Sequence, residues 1–336
     1  MAGDIGAKTT VEEFQGFDGT KLYFENTQVK NPKGAVIISH GYGEHCGRYG
    51  HVIAALGREG LNVYAYDHRG HGRSAGHRAF VNDFEDYLED LDLVMVRVRE
   101  REGERPLFLL GHSMGSVIAA AFAITRQPRL MGLILSGTTV QPTTVVPPIV
   151  QTLGRFIGMI APKLPIMDLK LAPLIARDPK VVAAYLKDPL NYIGKILVRT
   201  GNENSDAGAM VMAQADQISC SLIMLHGTDD KIAAIAGARV VRLQIALDID
   251  DVEQLHRGIA DIDIVSCCVH GGREHERHLY VMPQESSDKS LTCHAEPSRV
   301  FWGIFPAEHK RTKGHCVVCL CVGKSLDHTR RKPKMR

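Results

Sequence analysis

The sequence predicts an α/β protein in which a mostly parallel central sheet carries helices on both faces and a helical cap. Three observations lead there. Short apolar, β-branched runs alternate with amphipathic stretches, each run ends in a glycine-containing polar turn, and one proline-broken segment interrupts the alternation. Strands that are apolar on both faces belong to parallel sheets covered twice, whereas a half-solvated sheet would alternate apolar and polar positions.

Taken in order, VEEFQGFDGTKLYFEN reads as a hairpin about Phe17-Asp18-Gly19-Thr20. KGAVIISHG is the first buried strand, HVIAALGREG a helix, and LNVYAYDHRGHG repeats the scheme. DFEDYLEDLDLVMVRVRERE is an amphipathic helix, PLFLLG a strand, MGSVIAAAFAITRQ an alanine-rich helix and MGLILSG another strand. Over 138–215, Pro142, Pro147, Pro148, Pro162, Pro165 and Pro173 break the chain into short apolar pieces, the pattern of a helical cap between sheet strands. ISCSLIMLHGTDD then resumes the strand pattern, and AIAGARVVRL is the helix behind it. The expected organisation is a first core part over 1–137, the cap over 138–215, a second core part over 216–300 and an atypical tail over 301–336.

Periodicity is lost over 243–284, which reads as an insertion in the second core part. Cys267, Cys268, Cys293, Cys316, Cys319 and Cys321 all fall late in the chain, and eight of the 16 histidines lie beyond residue 255. That is no disulfide framework of a small secreted domain, and it marks a C-terminal portion of different origin.

A net charge of +2 over 336 residues, with basic residues spread through the body, excludes nucleic acid as the main partner. The first residues hold no apolar run resembling a signal peptide, and the longest uncharged stretch, 130–154, contains Pro142, Pro147 and Pro148. The expectation is a soluble, cytoplasmic protein with peripheral membrane contact through the cap. CVVCLC beside His315 lacks a second ligand pair, so no metal is expected, and no organic cofactor either.

LLGHSMGSV holds the chemistry. GxSxG arises by chance in roughly one chain in eight of this composition, so its surroundings must decide. Here strand, Gly111, Ser113, Gly115 and helix follow in order, which is the build of a nucleophile elbow. A serine hydroxyl is a weak nucleophile and needs a base within hydrogen-bond reach, an acid behind that base and donors for the developing oxyanion. The backbone N–H groups of Tyr42, in SHGYGEHCGRY after the first buried strand, and of Met114 are the candidate donors. A plain tight turn is the other reading of Gly41 and Gly43.

HGYGEHCGRY, YDHRGHGRS, GHSMGS and LHGTDD, with the cap run YLKDPLNYIGKILVRTG, together resemble the monoglyceride lipase and lysophospholipase branch of the α/β-hydrolases over residues 10–241. The resemblance implies an eight-stranded α/β-hydrolase fold with a mobile apolar lid and hydrolysis of a monoacylglycerol or a related single-chain ester. It assigns Ser113 as nucleophile, Tyr42 and Met114 to the oxyanion hole, and Asp230 as the acid, with Asp229 the near alternative. Glu44 and Arg48 resemble residues that recognise the glycerol head, or are surface charges of the turn, and Tyr185 is placed with them at the substrate. His112 reads as structural.

The resemblance breaks at the base. The family's histidine stands in a setting like DKTLxxxxGxxHE, whereas this chain has DKSLTCHAEPSRVFWGIF with Arg299 at that position. A guanidinium stays protonated and cannot take a proton. His294 is the remaining candidate, with His309 and His315 further off. Written as the codons CCT TCA CGA GTT TTT TGG and read one nucleotide later, residues 297–302 give Leu-His-Glu-Phe-Phe-Gly, which restores the missing His-Glu. The expectation is a change of frame after about residue 292 relative to an ancestral enzyme.

Overall fold

A computed structural model describes residues 7–142, 147–168 and 171–246, and the strands Ile262–Cys268, Val300–Ile304 and Val318–Val322. The chain divides into two units, Met1–Met282 and Pro283–Arg336.

The first unit opens with the expected hairpin, β1 (Lys8–Gln15) and β2 (Lys21–Gln28), paired antiparallel from Lys8↔Gln28 to Gln15↔Lys21. Asp18 closes its turn by accepting the Thr20 N–H at 3.0 Å. There follow β3 (Gly34–Ser39), α1 (Gly50–Arg58), β4 (Leu61–Tyr66), α2 (Glu85–Glu102), β5 (Leu107–His112), α3 (Met114–Arg126) and β6 (Gly132–Ser136). Every residue of β3 and β4 is buried, as strands covered on both faces require. Helix α2 starts with Glu85 and Asp86 and ends with Arg99 and Arg101, charges that complement its dipole.

The cap leaves the sheet after β6. It contains α4 (Pro148–Ile160), β7 (Pro165–Met167), α5 (Pro179–Lys187), β8 (Ile196–Leu197) and α6 (Val198–Gln214), with β7 and β8 forming a small antiparallel pair. Its proline-rich sequence starts helices rather than only breaking them, since Pro148 and Pro179 stand at first turns. No helix among the described residues is long and apolar enough to cross a membrane.

The chain returns through β9 (Ser221–Gly227), α7 (Ile235–Ala246) and β10 (Ile262–Cys268). The sheet of eight strands runs β1-β2-β4-β3-β5-β6-β9-β10, parallel from β4 to β9. Strand β10 lies in the stretch where sequence periodicity predicts none; it pairs antiparallel with β9, with an irregularity between Ile264 and Ser266. The alternation of Ile262, Asp263 and Ile264 breaks at the irregularity before Ser266, so no sustained period registers, but the edge of β9 offers the segment a partner.

After β3 the chain crosses to β4 on one side and then to β5 on the other. The crevice at the carboxyl ends of β3 and β5 is therefore the topological switch point, where ligands bind in open α/β sheets. The second unit holds an antiparallel pair, β11 (Val300–Ile304) and β12 (Val318–Val322).

Candidate active site

Ser113 joins the last residue of β5 to the first of α3, at φ 52° and ψ −121°. A residue with a side chain holds such a backbone only where its surroundings impose it, at a cost of about 1–3 kcal/mol. Here the Ser113 N–H donates to the Ser136 carbonyl at 2.9 Å, and the Ser113 carbonyl accepts from the Ser116 N–H at 2.9 Å and hydroxyl at 2.5 Å. The flanking glycines allow the close crossing. A Cβ on Gly115 would stand 2.1 Å from the Ser39 carbonyl oxygen, and one on Gly111 2.3 Å from that of Gly115. The result is a sharp turn that leaves Ser113 half-buried.

The glycine loop after β3 lies against it, since a Cβ on Gly41 would be 3.1 Å from Ser113 Cβ. Glu44 organises this loop from inside. Its Oε1 accepts the Gly41 N–H at 2.7 Å and the Tyr49 hydroxyl at 2.6 Å, and Oε2 takes Arg48 Nη1 at 2.6 Å. Burial alone would push its carboxyl up, but the imidazoles of His112 and His40, the Arg48 guanidinium and the Tyr49 hydroxyl outweigh that and hold it below the ordinary range. Glu44 is thus buried, and the reading of it as a surface charge falls away. Arg48 is partly exposed and lies over the Tyr185 ring at 4.8 Å. Tyr185 is buried, and its hydroxyl donates to the Gly43 carbonyl at 3.3 Å, so it braces the loop. Among the described residues, the N–H groups of Tyr42 and Met114 are not spent on other protein acceptors. That of Met114 opens α3, where the helix dipole is positive.

Behind the loop sit three buried imidazoles. His40 Nε2 accepts the His68 N–H at 3.0 Å, which leaves the His40 proton on Nδ1, 2.8 Å from the Gly41 carbonyl. Burial pushes all three down: His40 below its usual value, His68 well below it with His40 and His71 adding to the effect, and His71 to about 3. They are neutral packing groups that prop the loop. His112 Nδ1 lies 3.3 Å from Ser136 Oγ, in keeping with a structural role.

The two aspartates separate clearly. Asp230 Oδ1 accepts the N–H groups of Ile232 and Ala233 at 2.8 and 2.9 Å, while Oδ2 lies 3.6 Å from His226 Nε2. A Cβ on Gly137 would be 3.8 Å from Asp230 Oδ2 and 3.4 Å from His112 Cε1, so this carboxylate sits at the carboxyl end of β6, on the serine's side of the sheet. Asp229 is exposed, pairs with Lys231 and with Arg177 at 3.5 Å, and is held low mainly by Lys231. His294 lies outside the described residues.

Sequence reasoning missed Ser136, whose carbonyl holds the elbow, Gly137, which lies near both His112 and Asp230, and His226 beside that carboxylate. The polar-small ending of MGLILSG was the available signal for the first two. It missed the histidine props because a His in a turn motif looks the same buried or exposed.

A strained serine on a strand-to-helix elbow, a glycine loop packed on it and a fixed carboxylate after a later strand define a serine hydrolase of the α/β-hydrolase fold. The family model described as Serine aminopeptidase, S33 matches residues 30–254. The chain is 32% identical over 243 residues to the monoacylglycerol lipase of Mycolicibacterium smegmatis, covering 72% of this chain and 86% of that one. It is 29% identical over 231 residues to the monoglyceride lipase of Homo sapiens, covering 68% and 75%. A crystal structure of the Paleococcus ferrophilus monoacylglycerol lipase matches with a TM-score of 0.58 at 28% identity, over 70% of this chain and 84% of that one. The chain belongs to this S33 hydrolase family, among its monoglyceride lipase-like α/β-hydrolases.

Proposed function

We propose that the chain is a carboxylic ester hydrolase that splits a monoacylglycerol, or a related single-chain lysolipid, into fatty acid and glycerol through an acyl-enzyme. One observation carries the reading: Ser113, in its strained elbow, stands against the Gly41–Tyr42 backbone. Ser113 Oγ attacks the ester carbonyl and gives its proton to an imidazole, for which His294 is the candidate, with Asp230 orienting it. The tetrahedral oxyanion takes the N–H groups of Tyr42 and Met114. Collapse breaks the C–O bond, and the imidazolium protonates the departing glycerol oxygen. Water then repeats the sequence on the acyl-serine, releasing the acid and restoring Ser113. Glu44 and Tyr185 serve the head-group end by holding the loop, and Arg48, partly exposed, reaches a glycerol hydroxyl.

The names of the relatives support the substrate class. So does the cap, whose α4 leaves Ile149 80% and Ile160 70% exposed, with Leu153, Phe156 and Met159 between them. That face suits a lipid surface, from which a single-chain ester would enter.

Labelling with a fluorophosphonate probe tests the reading: wild type takes the probe at Ser113, Ser113→Ala does not, and monoacylglycerols are cleaved faster than short soluble esters. Absence of labelling on the folded chain overturns it in favour of a catalytically impaired lipid-binding protein, the outcome that Arg299 in place of histidine favours. A preference for short chains would instead make it a carboxylesterase of soluble esters. Sequencing the transcript over codons 240–336 tests the change of frame and the insertion at 243–284, and a message with no shifted alternative overturns both.

A further inference from the structure

The turn that follows α5 grips the glycine loop from the cap side. The Tyr192 N–H donates to the Gly43 carbonyl at 2.9 Å, and the Tyr185 hydroxyl donates to the same oxygen at 3.3 Å. The approach is so close that a Cβ on Gly43, at φ 71°, would stand 2.8 Å from the Tyr192 carbonyl oxygen. Two residues on, His45 Nε2 donates to Asp188 Oδ2 at 2.8 Å. The turn is stiff in itself: Asp188 Oδ1 accepts the Leu190 N–H at 2.9 Å, and Asn191 Nδ2 donates to the Tyr185 carbonyl at 2.9 Å.

His45 is buried and its Nδ1 has no partner, so the imidazole's hydrogen bonding rests on Asp188. Removing that carboxylate would leave a buried imidazole unsatisfied at both nitrogens, a state the loop can relieve only by moving. From the core side, Glu44 already fixes the Gly41 N–H. The loop that carries the Tyr42 N–H is therefore held on one side of Tyr42 at Gly41, by Glu44, and on the other at Gly43, by Tyr192 and Tyr185.

We propose that residues 185–192 of the cap are a positioning element for the oxyanion loop, anchored by Asp188 on His45, so that the seating of the cap sets the Tyr42 N–H relative to Ser113. The inference rests on the reading of Tyr42 as oxyanion donor. It makes cap and catalytic loop one mechanical unit at this point, although Asp188 and His45 are 143 residues apart.

The test uses the full chain as wild type, Asp188→Ala, Asp188→Asn and Tyr185→Phe, and reads hydrogen exchange over residues 41–49 together with the rate of fluorophosphonate labelling at Ser113. Asp188→Ala should speed exchange over 41–49 and slow labelling about tenfold, less than the roughly hundredfold or greater loss on deleting an oxyanion donor, with the half-saturating probe concentration unchanged. Asp188→Asn should restore both, because its carboxamide oxygen can keep the Leu190 N–H while its NH₂ donates to the other tautomer of His45. Tyr185→Phe, which removes one hydroxyl, should shift exchange in the same direction by less, and it decides the matter if Asp188→Ala does not fold. Exchange over 41–49 unchanged, or raised equally over α3 and the sheet, would overturn the proposal. If wild type takes no probe, the hydrolase reading fails while the exchange measurements still decide this one.

Discussion

Around Ser113, β3 and β4 bury every residue, and Gly111 and Gly115 leave no room for a methyl group between strand and helix. In the cap, α4 leaves Ile149, Leu153, Phe156, Met159 and Ile160 in solvent and meets α6 through contacts such as Asn202 Nδ2 on the Gly154 carbonyl at 2.9 Å. The first region must hold a few atoms to within fractions of an ångström, so it is packed to the limit. The second leaves several large apolar side chains open to solvent and is packed more loosely. The difference is sharpest between two glycines, Gly115 at the elbow, which has no room for a Cβ, and Gly154 on α4, which has.

Substituting one glycine in each region should expose that contrast most sharply. Gly115→Ala would drive a Cβ into the carbonyl oxygens of Ser39 and His40, at 2.1 and 2.4 Å, and neither backbone can yield without breaking the sheet. The expected outcome is loss of the folded protein, seen as absence of a cooperative melt. Gly154→Ala in α4 would meet only Asn202 Oδ1 at 3.5 Å, an ordinary contact. There the better helix propensity should raise stability by up to about 1 kcal/mol, read as a higher Tm. Equal losses at both sites would break the comparison.

The next effect separates neighbours within one turn. Asp230→Asn should slow probe labelling of Ser113 by about 10³-fold or more, because an amide cannot hold the imidazole in the required tautomer. Asp229→Asn, whose partners Lys231 and Arg177 lie in solvent, should stay within about twofold, since exposed pairs contribute little. Labelling rates of the two variants and wild type decide it.

Much of this was legible in the letters, and the reason is locality. GHSMGS and GTDD carry their chemistry within a few residues, so the letters alone place Ser113 on an elbow and Asp230 after a strand. The alternation of apolar runs likewise foretold a mostly parallel sheet, because its central strands β3 and β4 are covered on both faces, while the count of eight strands came from the family resemblance and β10 left no periodic trace. Glu44 was legible as a residue but not as a buried one. Its burial depends on Tyr49 and Arg48 folding back over it, and an acid in a turn looks the same either way. The contacts of Tyr185, Asp188 and Tyr192 with the glycine loop join segments too far apart in the chain for any motif to record.

The buried imidazoles give the packed region a pH signature that the cap lacks. His40, His68 and His71 have folded values below the ordinary histidine pKa of about 6.5, so the unfolded chain binds more protons than the folded one below that value. Their contribution to stability is present above about pH 6.5 and is lost as pH falls toward their folded values, which for His71 is about 3. The slope should approach about 1.4 kcal/mol per pH unit for each extra proton taken up on unfolding. Denaturant midpoints at pH 7, 6 and 5 check it, and a midpoint that does not fall over that range would mean the three rings are hydrated.

The smallest effect on stability belongs to the cap, and there a change in binding should stand apart from a change in folding. Phe156→Ser and Ile160→Ser lie on the exposed face of α4, so each should alter stability by no more than about 0.5 kcal/mol. The transfer free energy of burying each side chain against lipid, about 1.5–3 kcal/mol when complete, would be lost with it. Co-sedimentation with phosphatidylcholine vesicles should therefore fall about tenfold or more for the double variant while the melt barely moves. A variant that binds vesicles as wild type does would show that this apolar face is covered by protein and not by lipid.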